Sequence, residues 1–234
     1  MKKPYIKKYS AVSKFAVWIV NGQYIRENLD EEFTNFGQHY RFNFIPENEF
    51  WIDKEHGEEE EASYFIQTML IMNRLMSKGV TREEAIKKAD KSERRERRKS
   101  EFFKNMIGKT KKRDEELNKI HKQLIKEYSQ GKIKVWIVRG SLVRDLFFLD
   151  FTEGGHDKVY NFVSANEVWL DDDVSQKERK FVFLHEIHER NLMAKGWDYE
   201  KAHFDSSKIE YHCRHYPEEL NGAIKKELNK ANIN

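Results

Sequence analysis

The chain repeats itself. From Lys14 it reads KFAVWIVNGQYIRENLDEEFTNFGQHYRFNFIPENEFWID, and from Lys132 it reads KIKVWIVRGSLVRDLFFLDFTEGGHDKVYNFVSANEVWLD. The offset is 135 − 17 = 118 between Val17 and Val135, and it runs without a gap to Asp53 and Asp171. Fifteen of these thirty-seven paired positions are identical, which points to tandem duplication within one gene. Such a repeat confines the fold, because whatever one copy builds the other must be able to build as well.

Each copy opens on a β pattern. VWIV followed by Gly22 or Gly140 suggests a strand, a turn and a second short strand. FTNFGQHYRFNFIP and FTEGGHDKVYNFVS each place a Gly-marked turn before an alternating segment, and NEFWID and NEVWLD read as closing strands. A small antiparallel sheet is expected in each copy. Helices follow. In the first copy residues 62–78 read as a helix stopped by Gly79, and Thr81 with Glu84 three residues on has the form of a capping box. In the second, Ser175 and Glu178 repeat that signature. The helix they start ends near Lys195-Gly196, and another runs from Asp198, a good N-cap residue, to about Arg214. A third helix is expected from Glu115 in EELNKIHKQLIKEY, and from Glu218 behind Pro217 in EELNGAIKKELNKAN.

The expected class is therefore α+β, two tandem copies of a small antiparallel sheet, a helical hairpin and a third helix. The repeats are placed at 14–128 and 132–231, with a basic helical insertion at about 90–114. Duplicated units tend to associate as homodimers do, so an intramolecular pseudo-dimer in a monomeric chain is expected.

Composition narrows the function classes. The 234 residues suffice for one large or two small domains, and 13% aromatics supply core material to a chain that is 35% charged. Cys213 is the lone cysteine, which rules out an intrachain disulfide and a cysteine-rich zinc site. No apolar run approaches membrane-spanning length. The N-terminus is basic and then apolar, but its apolar part is short and recurs deep in the chain as strand material. A cytoplasmic protein without membrane contact is expected. The net charge of +3 implies no partner by itself.

The copies differ most in chemistry along the second helical hairpin, FVFLHEIHERNLMAKGWDYEKAHFDSSKIE, Phe181 to Glu210. Val182, His185, Glu186, Glu189 and Met193 share one face of its first helix. Tyr199, Ala202, His203, Ser206, Glu210 and Cys213 share one face of the second. Ionisable groups on half-apolar faces need partners, and packing the two faces together gathers His185, Glu186, Glu189, His203 and Glu210. Carried across without a gap, the repeat pairs His185 with Gln67, Glu186 with Thr68, His188 with Leu70 and Glu189 with Ile71. A one-residue gap at the turn then pairs His203 with Ile86 and Glu210 with Glu93. The first copy is expected to be structural and the second to carry the site.

His185 to Glu189 spells H-E-x-x-E. His185 and Glu189, four apart, point to one side of a helix and can hold one ion, with Glu186 facing a water beside it. The stretch resembles the H-E-x-x-H helix of zincin-type metallohydrolases, which implies a divalent metal, zinc first, and Glu186 as general base. Glu189 stands where that family has its second His, which admits manganese or iron. The expected ligands are His185, Glu189 and His203, with Glu210 as a fourth ligand or as a carboxylate behind them. His156, which follows Gly154-Gly155, and His188 are further candidates. The hairpin as a whole also looks like uncharacterised proteins of phages and mobile elements, a likeness that implies no activity.

Other readings stand beside the hydrolase. One is a satisfied polar core in which Glu186 or Glu189 bridges to Arg190, Lys195 or Arg214 and His203 hydrogen-bonds a carboxylate. Another is a carboxylate-bridged di-iron site, because Glu200 and His203 have E-x-x-H spacing. The last is a non-catalytic, phage-type accessory protein that contacts nucleic acid through Lys91, Arg94, Arg95 and Arg98, although Glu93 and Glu96 interrupt that charge.

Overall fold

Strand Phe15–Val20 (β2) alternates two sets of apolar side chains, and both sets are covered. Phe15, Val17 and Ile19 pack with Phe50, Ile52, Phe65 and Met69, while Val20 joins Ile25, Phe33, Ile45 and Trp51 on the other side. A strand buried on both faces suits a parallel neighbour, and β2 has one. It runs parallel to Glu49–Asp53 (β4), with Val17 beside Phe50 and Val20 beside Asp53. The computed structural model describes residues 4–56, 59–108, 110 and 112–231.

The chain forms two compact units, Met1–Lys109 and Thr110–Asn234. In the first, strands Tyr5–Val12 (β1) and Phe36–Gln38 (β3) flank the parallel pair in the order β1-β2-β4-β3, each antiparallel to its neighbour. Helices Gly22–Asn28 (α1), Glu59–Met76 (α2), Arg82–Arg97 (α3) and Glu101–Met106 (α4) complete the unit. The second repeats the plan. Helix Arg113–Ile120 (α5) leads into strand His121–Leu124 (β5). Lys134–Val138 (β6), helix Gly140–Leu146 (α6), Gly154–His156 (β7) and Glu167–Asp171 (β8) follow, with sheet order β5-β6-β8-β7. Three helices close the unit: Gln176–Ala194 (α7), Tyr199–His215 (α8) and Leu220–Ala231 (α9).

The α+β class and the two similar halves agree with the sequence reading, and three expectations are corrected. The sheets are mixed, not antiparallel, because β6 and β8, like β2 and β4, run parallel. The glycine after VWIV starts a short helix and not a second strand. Gly22 donates its N–H to Asp53 at 3.2 Å, and an added Cβ would lie 1.7 Å from that carboxyl. Gly140 is as tight, since its Cβ would meet the Asp171 carboxyl at 2.1 Å. Glycine is required because the end of the closing strand tucks its carboxylate under the helix, where Asp53 also meets Arg26 at 3.1 Å and Asp171 meets Arg144 at 2.5 Å.

The third correction concerns the boundary. The helix expected from Glu115 onward stops at Ile120, and the chain then pairs His121 with Val138 as an edge strand. Residues 113–128 thus belong to the second unit and not to a repeat spanning 14–128. The hairpin helices are capped as expected: Thr81, Ser175 and Asp198 accept the N–H groups of Glu84, Glu178 and Lys201. The carboxylate of Glu178 also accepts from Arg214 at 2.9 Å.

Candidate metal centre

The second unit brings α7, α8 and β7 together over one face of its sheet. His156 on β7 is paired in register with Val168, a core residue that packs with Val182 and Ile187 of α7. Gly154, two residues earlier, faces the same way. A Cβ there would stand 2.9 Å from Val182 and 3.1 Å from Glu186. The missing side chain lets α7 settle onto the edge strand. Gly155 points to the other side and makes room for the ring of Tyr160.

Three donor atoms converge between α7 and α8. His185 Nε2 lies 3.1 Å from His203 Nδ1, His203 Nδ1 lies 2.9 Å from Glu189 Oε2, and His185 Nε2 lies 3.6 Å from the same oxygen. Zinc with bonds of 2.0–2.1 Å in a tetrahedron separates its donors by about 3.3 Å, so this triangle has the size of one ion's coordination face. The exposure of the three side chains rises from 4% at Glu189 through 12% at His185 to 31% at His203, so the triangle opens to solvent on the α8 side.

The outer atoms of these side chains are held as well. His185 meets Glu210 Oε2 through Nδ1 at 2.9 Å, and Glu210 Oε1 accepts from Arg214 at 2.7 Å. Burial works against charge on Glu210, but the His185 hydrogen bond and Arg214 outweigh it and hold the carboxyl at about 2. An ionised Glu210 accepts a hydrogen bond from the Nδ1–H, so that loss of the other ring proton leaves the Nε2 lone pair facing the triangle. Burial alone would lower the pKa of His185, yet its hydrogen bonds to Glu189 and Glu210 raise it well above the ordinary imidazole value. Glu189 turns Oε1 to His156 Nε2 at 3.0 Å. Burial opposes its ionisation too, and hydrogen bonds from His156, His185 and His203 keep it far below the usual carboxylate range.

Glu186 sits beside these groups, its carboxylate within 4.8 Å of ligand atoms of His156 and Glu189. Burial, and then the negative charge of Glu189, push its pKa up to about 8.

The expected residues therefore divide. His185, Glu189 and His203 meet, and Glu186 lies next to them. Glu210 lies outside the triangle, on the far nitrogen of His185. His156 lies outside the triangle, behind Glu189, although one of its ring nitrogens is also within 4.8 Å of ligand atoms of Glu186 and Glu189. Its Nδ1 accepts the Lys158 N–H at 3.2 Å, so Nε2 carries the ring proton and donates it to Glu189; burial keeps this ring's pKa below the free value. His188 leaves the site altogether and lies 3.1 Å from Glu227. Glu200 is exposed and absent from the cluster, so its E-x-x-H spacing with His203 brings no carboxylate to the site. The polar-core reading is met in part: His203 lies 2.9 Å from Glu189, whereas Arg190 binds Asp157 at 2.6 Å and Arg214 binds Glu210 and Glu178.

The first unit carries the same support without the donors. Glu61, Arg97 and Glu93 form an ion-paired group matching Glu178, Arg214 and Glu210, and Thr68 donates its hydroxyl to Glu93 at 2.6 Å, as His185 engages Glu210. These matches set the helical offset at 185 − 68 = 117, so the one-residue gap falls before the hairpin and not at its turn. His185 then corresponds to Thr68, Glu186 to Met69, Glu189 to Met72 and His203 to Ile86. The supporting network, absent from the sequence reading, is visible in retrospect as Glu61, Glu93 and Arg97 recurring at that offset.

The basic stretch lies mainly on α3. Lys91, Arg95 and Arg98 are exposed and Arg94 is partly buried, while Arg97 turns into the core. A further acidic group, Asp171, Asp172 and Asp173, is tied to cations: Arg144 binds the first and third, and Lys122 the second. Among the described residues no helix is long and apolar enough to cross a membrane. No family model matches the chain, and neither a curated protein nor a solved structure is similar to it.

Proposed function

We propose that the second unit binds one divalent metal ion through His185, Glu189 and His203 and acts as a metal-dependent hydrolase. The observation that carries this reading is the donor triangle, with edges of 2.9, 3.1 and 3.6 Å and a solvent-facing side. Two His and one Glu with an open fourth position is a known donor set for catalytic zinc. A bound ion would supply Lewis acidity toward a polarised carbonyl or phosphoryl group. Glu186 is the proton acceptor for the attacking water. Its pKa near 8 would drop beside a dication, toward the range where a general base works at neutral pH. Glu210 and His156 are not chemical participants in this scheme; they orient the ligands.

The test begins with the metal content of the purified protein by mass spectrometry, expected at about one equivalent. His185→Ala and His203→Ala should lose it. Hydrolysis is then assayed on panels of peptide, ester and phosphodiester substrates, and Glu186→Gln should keep the metal while losing turnover. Iron in place of zinc would redirect the assay to oxygen chemistry, which the same donor set also supports. A wild-type protein that binds none of zinc, manganese and iron, and whose melting temperature none of them raises, would end the proposal.

A further inference from the structure

Nothing in a lone carboxylate dictates that it should bind a metal through one oxygen. Glu189 has a reason to do so. Its Oε2 belongs to the donor triangle, while Oε1 is occupied by His156 Nε2 at 3.0 Å. His156 is fully buried, so water cannot take its place, and its orientation is set from behind by the Lys158 N–H on Nδ1. Neutral imidazole has one proton to give. With Nδ1 accepting, that proton is on Nε2 and aimed at Oε1. The edge strand delivers His156 to this point, and Gly154 lets α7 approach closely enough for the bond to form.

We infer that His156 is a positioning residue that holds Glu189 monodentate and thereby sets the coordination number of the metal. This rests on the metal-binding reading of the second unit. A Glu189 free to rotate would offer both oxygens, which suits the larger, more highly coordinated manganese and calcium ions. A Glu189 pinned by its outer oxygen leaves a three-donor face with an open position, the arrangement of a small four-coordinate ion. His156 thus favours zinc over larger divalent ions without touching either.

Cobalt(II) reports this directly, because four-coordinate cobalt absorbs visible light several-fold more strongly than six-coordinate cobalt. Wild-type protein titrated with cobalt(II) should give the intense four-coordinate spectrum at one equivalent. His156→Gln keeps an N–H donor at nearly the reach of Nε2 and should retain the spectrum. His156→Asn keeps an amide but ends short of Glu189. It should lose most of the intensity, bind cobalt and zinc about 10–100-fold more weakly, and bind manganese no worse than wild type. The two variants have similar polarity, so a general packing defect would affect both. Circular dichroism and melting curves establish that each is folded, and His156→Ala extends the series. If the Asn and Gln variants share the wild-type spectrum and metal preference, or if both lose them alike, the inference is wrong although the site stands. If wild-type protein binds no cobalt or zinc, the metal-binding reading itself fails.

Discussion

His185 engages Glu210 through Nδ1 at 2.9 Å and so turns Nε2 toward Glu189 and His203. One hydrogen bond fixes both the tautomer and the direction of this imidazole. Glu210→Gln keeps the shape and removes the charge. It should leave the protein folded and weaken zinc binding about 10–100-fold, as loss of an outer partner typically does. Isothermal titration of zinc into the variant checks this, and an unchanged affinity would mean that Glu210 does not orient His185.

On the proposed metal-binding reading, the same pair would make ion binding pH-dependent. Burial lowers the proton affinity of His185, but Glu189 and Glu210 raise it further than burial lowers it. The ring is protonated below its raised pKa and must release that proton to bind an ion. Zinc affinity should therefore fall as pH falls through the neutral range, with about one proton released per ion bound. Titrations in buffers of different ionisation enthalpy measure that number directly.

Arg97 and Arg98 are neighbours with opposite fates. Arg97 is 1% exposed and paired with Glu61 and Glu93 at 2.7 Å, whereas Arg98 points into solvent. Arg97→Ala strands two buried carboxylates and should cost about 3–5 kcal/mol. Arg98→Ala should fall within about 0.5 kcal/mol of wild type. Urea denaturation of both variants separates them, and equal midpoints would contradict the burial of Arg97.

Glycine 140 offers a test of the short helix. A methyl group there would stand 2.1 Å from the Asp171 carboxyl, itself locked to Arg144. Gly140→Ala should lose about 1–3 kcal/mol by overpacking, while Gly222→Ala, where the new methyl meets nothing within 4 Å, should be neutral or stabilising. Thermal melts of the pair suffice.

Glu227 predicts how stability depends on acid. Burial disfavours its charge, but His188, Lys230 and Asn191 outweigh burial and hold the carboxyl at about 2. A carboxylate with a depressed folded-state pKa stabilises the protein above its unfolded value of about 4.3, and that contribution is lost as pH falls toward 2. Glu227→Gln should therefore cost on the order of 3 kcal/mol at pH 7 and little near pH 2. Denaturation curves at the two pH values show whether the penalty disappears.

Much of this arrangement could be read from residue spacing. His185 and Glu189 recur at one helical turn, and Asp198 and Gly196 mark where the hairpin folds back, so the meeting of His185, Glu189 and His203 follows from local periodicity. The parallel pairing of β2 with β4 did not follow, because a short apolar run looks alike in either direction. Nor did β5, since HKQL continues a helical pattern and becomes a strand only by pairing with β6. Whether Glu210 and His156 enter the triangle or stand behind it could not be read, for a single reason. Spacing tells which side of a helix a side chain occupies, but not which of its two polar atoms faces inward. The true offset of the hairpin was hidden because Thr68, not another His, engages Glu93.

The proton on His156 is placed by a backbone amide, the N–H of Lys158. Any residue at position 158 except proline supplies that N–H, so the tautomer is written into the path of the chain and not into the identity of a side chain. Position 158 should accept wide replacement in a mutational library with metal binding intact, and reject proline alone, as though a catalytic requirement applied to a residue whose own side chain never enters the site.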